Sequence, residues 1–184
     1  LKRYVLAICF DFGDTLVDES TEVKNERQVT LQGDLIPGTG QMLRELHTRG
    51  YRLAIVSDGP VGSVDNVLWD HGLYGLFDAF VISEALGVEK PNPRMFVHAL
   101  DQLGIARDDY HRTIMVGNNL SRDVKGANKV GMVSVHQDWS PRYPKAPVDA
   151  SEIPTHTIKM PLDLLSVVEH LEENHNSKEG QRDL

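Results

Sequence analysis

Four short stretches of the chain concentrate side chains that can do chemistry. They are Asp11-Phe12-Gly13-Asp14-Thr15, Ser57-Asp58-Gly59, Glu89-Lys90-Pro91 and Gly117-Asn118-Asn119-Leu120-Ser121-Arg122-Asp123. Between them they supply carboxylates, a hydroxyl, an amine and amide oxygens. A carboxylate such as Asp11 can serve as a nucleophile or a metal ligand. The Ser57 hydroxyl and nearby backbone N–H groups can hold anionic oxygens, and Lys90 adds a positive charge. This set suits phosphoryl transfer, in which positioning and charge neutralisation do most of the catalysis.

These stretches need a scaffold that brings them together. Three of them directly follow short apolar runs: VLAICF at 5–10, LAIV at 53–56 and TIMV at 113–116. Such runs predict strands buried on both faces. FVIS at 80–83, MVSV at 132–135 and Thr157–Met160 predict three more. Helical stripes lie between them. Met42, Leu43 and Leu46 form one, closed by Gly50; Val64, Val67 and Leu68 form another, with Ser63 as its cap. Met95, Phe96, Ala99 and Leu100 follow an Asn92-Pro93 start, Ser121 can cap a short helix, and Leu162 to Leu171 make the last one. Strand–helix alternation predicts an α/β fold. The expected form is a Rossmann-like three-layer sandwich whose central parallel sheet of five to six strands has helices on both faces. Ligands of such sheets bind at the carboxyl ends of the strands, where the chemical stretches fall. Residues 1–171 read as a single domain, 137–155 as a proline-rich loop and 172–184 as a polar, frayed tail.

Composition narrows the function classes. A chain of 184 residues suits one domain. A net charge of −8 with no block of Lys or Arg argues against nucleic acid or an anionic membrane as partner. No apolar run approaches the ~20 residues a membrane helix needs. The single cysteine, Cys9, excludes an intrachain disulfide and points to a reducing, cytoplasmic setting; its place in the first strand reads as core. The residues ahead of that strand are too few for a signal peptide, and the opening at Leu1 is expected of a trimmed or incomplete chain.

The four stretches, taken in order, resemble the motifs of the haloacid dehalogenase superfamily of phosphohydrolases. Ile36-Pro37-Gly38, Ile55-Val56-Ser57 and Gly87-Val88-Glu89-Lys90-Pro91 strengthen the resemblance, which covers residues 5 to about 170. It implies that Asp11 is a nucleophile forming an aspartyl-phosphate. Ser57 would bind the phosphoryl group, helped by N–H groups of Phe12, Gly13 and Asp58. Lys90 would neutralise Asp11 and the phosphoryl oxygens. Mg²⁺ would be held by Asp11, the Gly13 carbonyl, Asn118 and Asp123, an oxygen-only set suited to that ion. The implied partner is a phosphorylated substrate, small or macromolecular.

Two positions depart from the family pattern. Phosphatase members carry a second aspartate two residues after the nucleophile, which protonates the leaving group; here that residue is Gly13, with Asp14 one place later. The fourth motif usually opens Gly-Asp and here reads Gly117-Asn118. General acid–base groups contribute about 10²–10⁴-fold, so reduced turnover is expected, with Asp14 either a substitute acid or a plain turn residue. Residues 16–36 leave room for a short flap, and no cap domain is expected at either usual insertion point. An open cleft would take a bulky substrate or be covered in a homo-oligomer. The rival readings are a phosphate-binding or regulatory module with little turnover, and a phosphotransferase. Asp123 also reads as a helix-dipole partner, His136 and Trp139 as loop or edge residues near the cleft, and Arg122 as a source of positive potential.

Overall fold

The computed structural model describes residues 3–180. Six parallel strands form its central sheet in the order β5-β4-β1-β6-β7-β8. These are β1 (Ala7–Phe10), β4 (Arg52–Ser57), β5 (Ala79–Ile82), β6 (Thr113–Gly117), β7 (Val133–Gln137) and β8 (His156–Ile158). A separate antiparallel hairpin pairs β2 (Val23–Lys24) with β3 (Thr30–Gln32). The helices are α1 (Thr39–Thr48), α2 (Val61–Asp70), α3 (Ser83–Leu86), α4 (Pro93–Gln102), α5 (Lys125–Val130) and α6 (Asp163–Gly180).

Period-two alternation along β1 builds both faces of the sheet. Ile8 and Phe10 join Met42, Leu43 and Leu46 of α1, Val67 and Leu68 of α2, and Leu164 and Val168 of α6. Ala7 and Cys9 join Met95, Phe96 and Ala99 of α4 and Ala127 of α5 on the other face. This is the three-layer α/β sandwich expected from the strand–helix alternation. Burial pushes the Cys9 thiol up to about 12, so it remains a neutral core group. Small side chains on the second face let α4 and α5 approach closely. A Cβ on Gly126 would strike the Phe96 ring.

β1 has β4 on one side and β6 on the other, with Phe10 in register with Ile55 and Val116. The direction of chain winding reverses there, which opens a crevice at the carboxyl ends of these strands. The hairpin β2–β3 docks on α2: Ser63 Oγ accepts from Thr30 N at 2.8 Å, and Asn66 Nδ2 donates to Thr30 O at 2.9 Å. Ser63 is therefore not the cap of α2, which begins two residues earlier behind Pro60. Asn92 does cap α4, accepting from Arg94 N.

The last helix also corrects an expectation. It runs nine residues beyond Leu171, to Gly180; in its extension the Glu172 carboxylate accepts from Tyr4 N, Val5 N and Tyr51 Oη at 2.7, 3.1 and 3.1 Å. The part of the expected tail at 181–184 lies outside the described residues. Among the described residues, no helix is long and apolar enough to cross a membrane.

Candidate active site

The loop after β1 turns back on itself at once. Leu16 N and Val17 N donate to Phe12 O, and Asp14 N to Val17 O at 2.7 Å. The turn leaves Asp11 at the strand end, facing the crevice. One cleft there brings together Asp11, Gly13, Ser57, Asp58, Lys90, Asn118 and Asp123, residues spread over more than a hundred positions of sequence. Phe12 turns its ring into the core.

Lys90 is the electrostatic centre. Its Nζ donates to Asp11 Oδ1 at 2.6 Å and Asp123 Oδ1 at 2.7 Å, with its side chain 2 % exposed. Burial alone would push the ammonium down; Asp11, Asp123 and Asp58 outweigh it and hold the group above its ordinary range. Asp123 goes the other way from a usual ion-paired acid. Burial first, then the Asp11 charge, push it up to about 7 despite Lys90. Its second oxygen accepts from Asn119 N at 3.0 Å. Asp58 is raised by burial, and its carboxylate accepts from Lys90 N at 3.0 Å, tying the β4 loop to the lysine loop. Ser57 Oγ reaches only its neighbour's carbonyl, at 3.3 Å, so its hydroxyl is free to turn to a ligand.

The β6 loop starts with a wide turn at Leu120–Val124 that runs into α5. Asn119, not Ser121, caps it, accepting from Ser121 N and Arg122 N. Asn118 is buried, and its Nδ2 has no hydrogen-bond partner. A buried polar atom of this kind calls for an occupant of the cleft: the amide can present oxygen to a cation or N–H to an anion. Among the described residues no group of three His, Cys, Asp or Glu side chains is arranged to hold a metal. The donors here are the carboxylates of Asp11 and Asp123 with the amide of Asn118 and the carbonyl of Gly13. Hard oxygen donors, few in number, fit Mg²⁺, which keeps several waters.

Asp14 does not enter the cleft. It has φ +50°, a left-handed conformation that aspartate tolerates. Its buried carboxylate accepts from Glu19 N at 3.1 Å, Ser140 Oγ at 2.8 Å and Arg142 Nε at 2.7 Å. It is an anchor for two loops, not a replacement acid. His136 is buried against Asn118 O at 3.2 Å, and burial lowers its pKa. Trp139 lines a separate hollow beside Asp14 and Arg142.

Sequence reasoning missed two residues that line the cleft, Glu19 and Tyr143; Asn119, part of the fourth stretch but given no role of its own, lines it as well. Glu19 is raised, chiefly by burial and then by Asp14, against the lowering effect of Arg142. Arg122, expected as a source of positive potential, also lines the cleft, 3.4 Å from Asp58.

Comparison with known proteins decides the family. Residues 21–131, more than half of the chain, match the family of haloacid dehalogenase-like hydrolases. The chain belongs to the haloacid dehalogenase-like hydrolases. Within that family it is 36 % identical over 144 residues to a glyceraldehyde 3-phosphate phosphatase of Methanopyrus kandleri, covering 75 % of this chain and 56 % of the relative. It is 34 % identical over 117 residues to a phosphoserine phosphatase of Thermus thermophilus, covering 62 % and 46 %. The chain thus spans about half the length of the curated relatives it matches. A haloacid dehalogenase-like phosphatase from Thermococcus onnurineus shares the fold with a TM-score of 0.73 at 19 % identity, over 89 % of this chain and 98 % of the other. The putative hydrolase YfnB from Bacillus subtilis, solved bound to magnesium, shares it with a TM-score of 0.71 at 19 % identity, over 91 % and 99 %.

Proposed function

We propose that this haloacid dehalogenase-like hydrolase is a Mg²⁺-dependent phosphomonoesterase working through an aspartyl-phosphate on Asp11. The observation that carries the reading is the buried ammonium of Lys90, shared between Asp11 and Asp123 at 2.6 and 2.7 Å. A lysine so placed pairs with the attacking carboxylate and offers positive charge to the incoming phosphoryl oxygens. Ser57 Oγ, with the N–H groups of Phe12, Gly13 and Asp58, orients those oxygens. Asp11, the Gly13 carbonyl, Asn118 and Asp123 would hold the ion. When bound, Mg²⁺ supplies neutralisation of phosphoryl charge.

The Asp11 carboxylate attacks phosphorus and the ester oxygen leaves with its pair of electrons. Water then cleaves the aspartyl-phosphate and releases inorganic phosphate. Curated relatives named for glyceraldehyde 3-phosphate and phosphoserine favour small phosphorylated metabolites as the substrate class. Phosphate release from such esters, measured with and without Mg²⁺ for the parent and Asp11→Asn chains, tests this. Release that needs Mg²⁺ and disappears in Asp11→Asn is expected. Equal release by Asp11→Asn would sink the reading.

A further inference from the structure

The first loop has no side chain at Gly13, yet the space such a side chain would take is filled. A Cβ built on Gly13 would meet Glu19 Cγ at 2.9 Å and Cδ at 2.8 Å, with Oε1 nearer still. Glu19 opens the short turn Glu19–Thr21, where the chain has doubled back over the loop. Its carboxyl lines the same cleft as Asp11 and Lys90. Two groups hold it there. Asp14 Oδ1 accepts from Glu19 N at 3.1 Å, and Arg142 pairs with Glu19 Oε2 at 3.0 Å while bonding Asp14 Oδ2 at 2.7 Å. One carboxyl oxygen is thus clasped from behind and the other is turned toward Gly13.

We propose that Glu19 is the proton-transfer residue of this active site, its carboxyl reaching in from the flap to the volume left open at Gly13. The proposal rests on the phosphomonoesterase reading above. As Asp11 attacks phosphorus, the bond to the ester oxygen breaks, and that oxygen takes the proton of the Glu19 carboxylic acid and leaves as an alcohol. Water then attacks the phosphorus of the aspartyl-phosphate and gives a proton to the Glu19 carboxylate. The Asp11–phosphorus bond breaks, phosphate departs, and both carboxyl groups return to their starting forms. Asp14 and Arg142 are positioning residues: they fix where the carboxyl of Glu19 points. On this reading Gly13→Asp does not restore turnover, because the added side chain would collide with Glu19.

The experiment compares an alkyl phosphate, glycerol phosphate, with an aryl phosphate, nitrophenyl phosphate, whose leaving group needs no proton. Glu19→Gln keeps the size of the side chain. For Glu19→Gln, kcat on the alkyl ester should fall about 10²–10⁴-fold. With the aryl ester, the first equivalent of nitrophenol should appear at nearly the parent rate, followed by slow turnover as phosphorylated Asp11 accumulates. Gly13→Asp alone should lower stability and rate. Gly13→Asp/Glu19→Gly should regain alkyl turnover to within about tenfold of the parent, since one carboxyl again occupies the site. Parent-like alkyl turnover in Glu19→Gln overturns the proposal, as does an equal loss on both esters with no burst, which a merely structural Glu19 would give. In either case Asp11→Asn would still be inactive, leaving the phosphomonoesterase reading intact. An active Asp11→Asn chain overturns both.

Discussion

Replacing Lys90 with methionine keeps an unbranched four-atom stem and removes the ammonium that joins two acids. Both ion pairs go at once, at 2.6 and 2.7 Å from Nζ. A pair of unit charges ~4 Å apart is worth about 4 kcal/mol at an effective dielectric constant of 20. Removing one partner of a buried pair typically costs about 3–5 kcal/mol, since the remaining charge is left without compensation. The two acids do not share that cost equally. Asp11 has a side chain 13 % exposed and the Thr15 hydroxyl at 3.3 Å. Asp123 is 1 % exposed and retains only the Asn119 N–H. The deficit therefore falls mainly on Asp123, and about 3–5 kcal/mol is expected for the whole substitution.

The pH dependence follows from the direction of the Asp123 shift. With Lys90 present, burial and Asp11 already push that carboxyl up to about 7; without Lys90 it rises further. A carboxyl whose folded pKa lies above its unfolded value contributes stability at low pH that is lost as pH rises through the folded value. The Lys90→Met deficit should thus be largest near about pH 8 and shrink toward about pH 5. Urea unfolding at both pH values, for the parent, Lys90→Met, Asp123→Asn and the double variant, gives the measurement. The double variant should recover at least about half of the deficit, because the orphaned charge has gone. A deficit under about 1 kcal/mol at the higher pH, or none recovered by Asp123→Asn, would refute the claim that Lys90 neutralises buried carboxylates.

Further expectations concern the metal site, the core and the last helix. Asn118→Asp restores a negative charge to the donor set, so half-maximal activity should need less Mg²⁺; an unchanged titration would remove Asn118 from the ligands. Gly126→Ala places a methyl against the Phe96 ring and should cost about 1–3 kcal/mol in urea or thermal unfolding. Glu172→Gln turns an N–H donor toward the N–H groups of Tyr4 and Val5; a loss of about 1–3 kcal/mol is expected by the same measurement.

The parts of the fold legible in sequence are those with local causes. Continuous apolar runs at β1, β4 and β6 marked buried strands, and Asn92-Pro93 marked a helix start. Once the sheet is parallel, topology alone carries Asp11, Ser57 and Asn118 to one edge. The missed features have distant causes. Ser63 looked like a cap, but its hydroxyl serves Thr30, 33 residues away. Glu172 looked like a solvated tail residue, but it satisfies N–H groups at the other end of the chain. Asp14 and Arg142 are 128 positions apart, so no spacing rule places Glu19 in the cleft. The empty position at Gly13 was visible; the side chain that fills it was not, because the flap has to fold first.

The collision between Glu19 and any side chain at position 13 has an evolutionary consequence. A loop acid and a flap acid compete for one small volume. A lineage moving between the two arrangements must pass through a chain with both, which is crowded, or with neither, which has no carboxyl there. Either intermediate is handicapped, so the two states should be separated by a fitness valley and the two positions should change in concert. Gly13 accompanied by an acid at position 19, and a carboxylate at position 13 accompanied by a small residue at 19, are the combinations expected to persist among descendants of this chain.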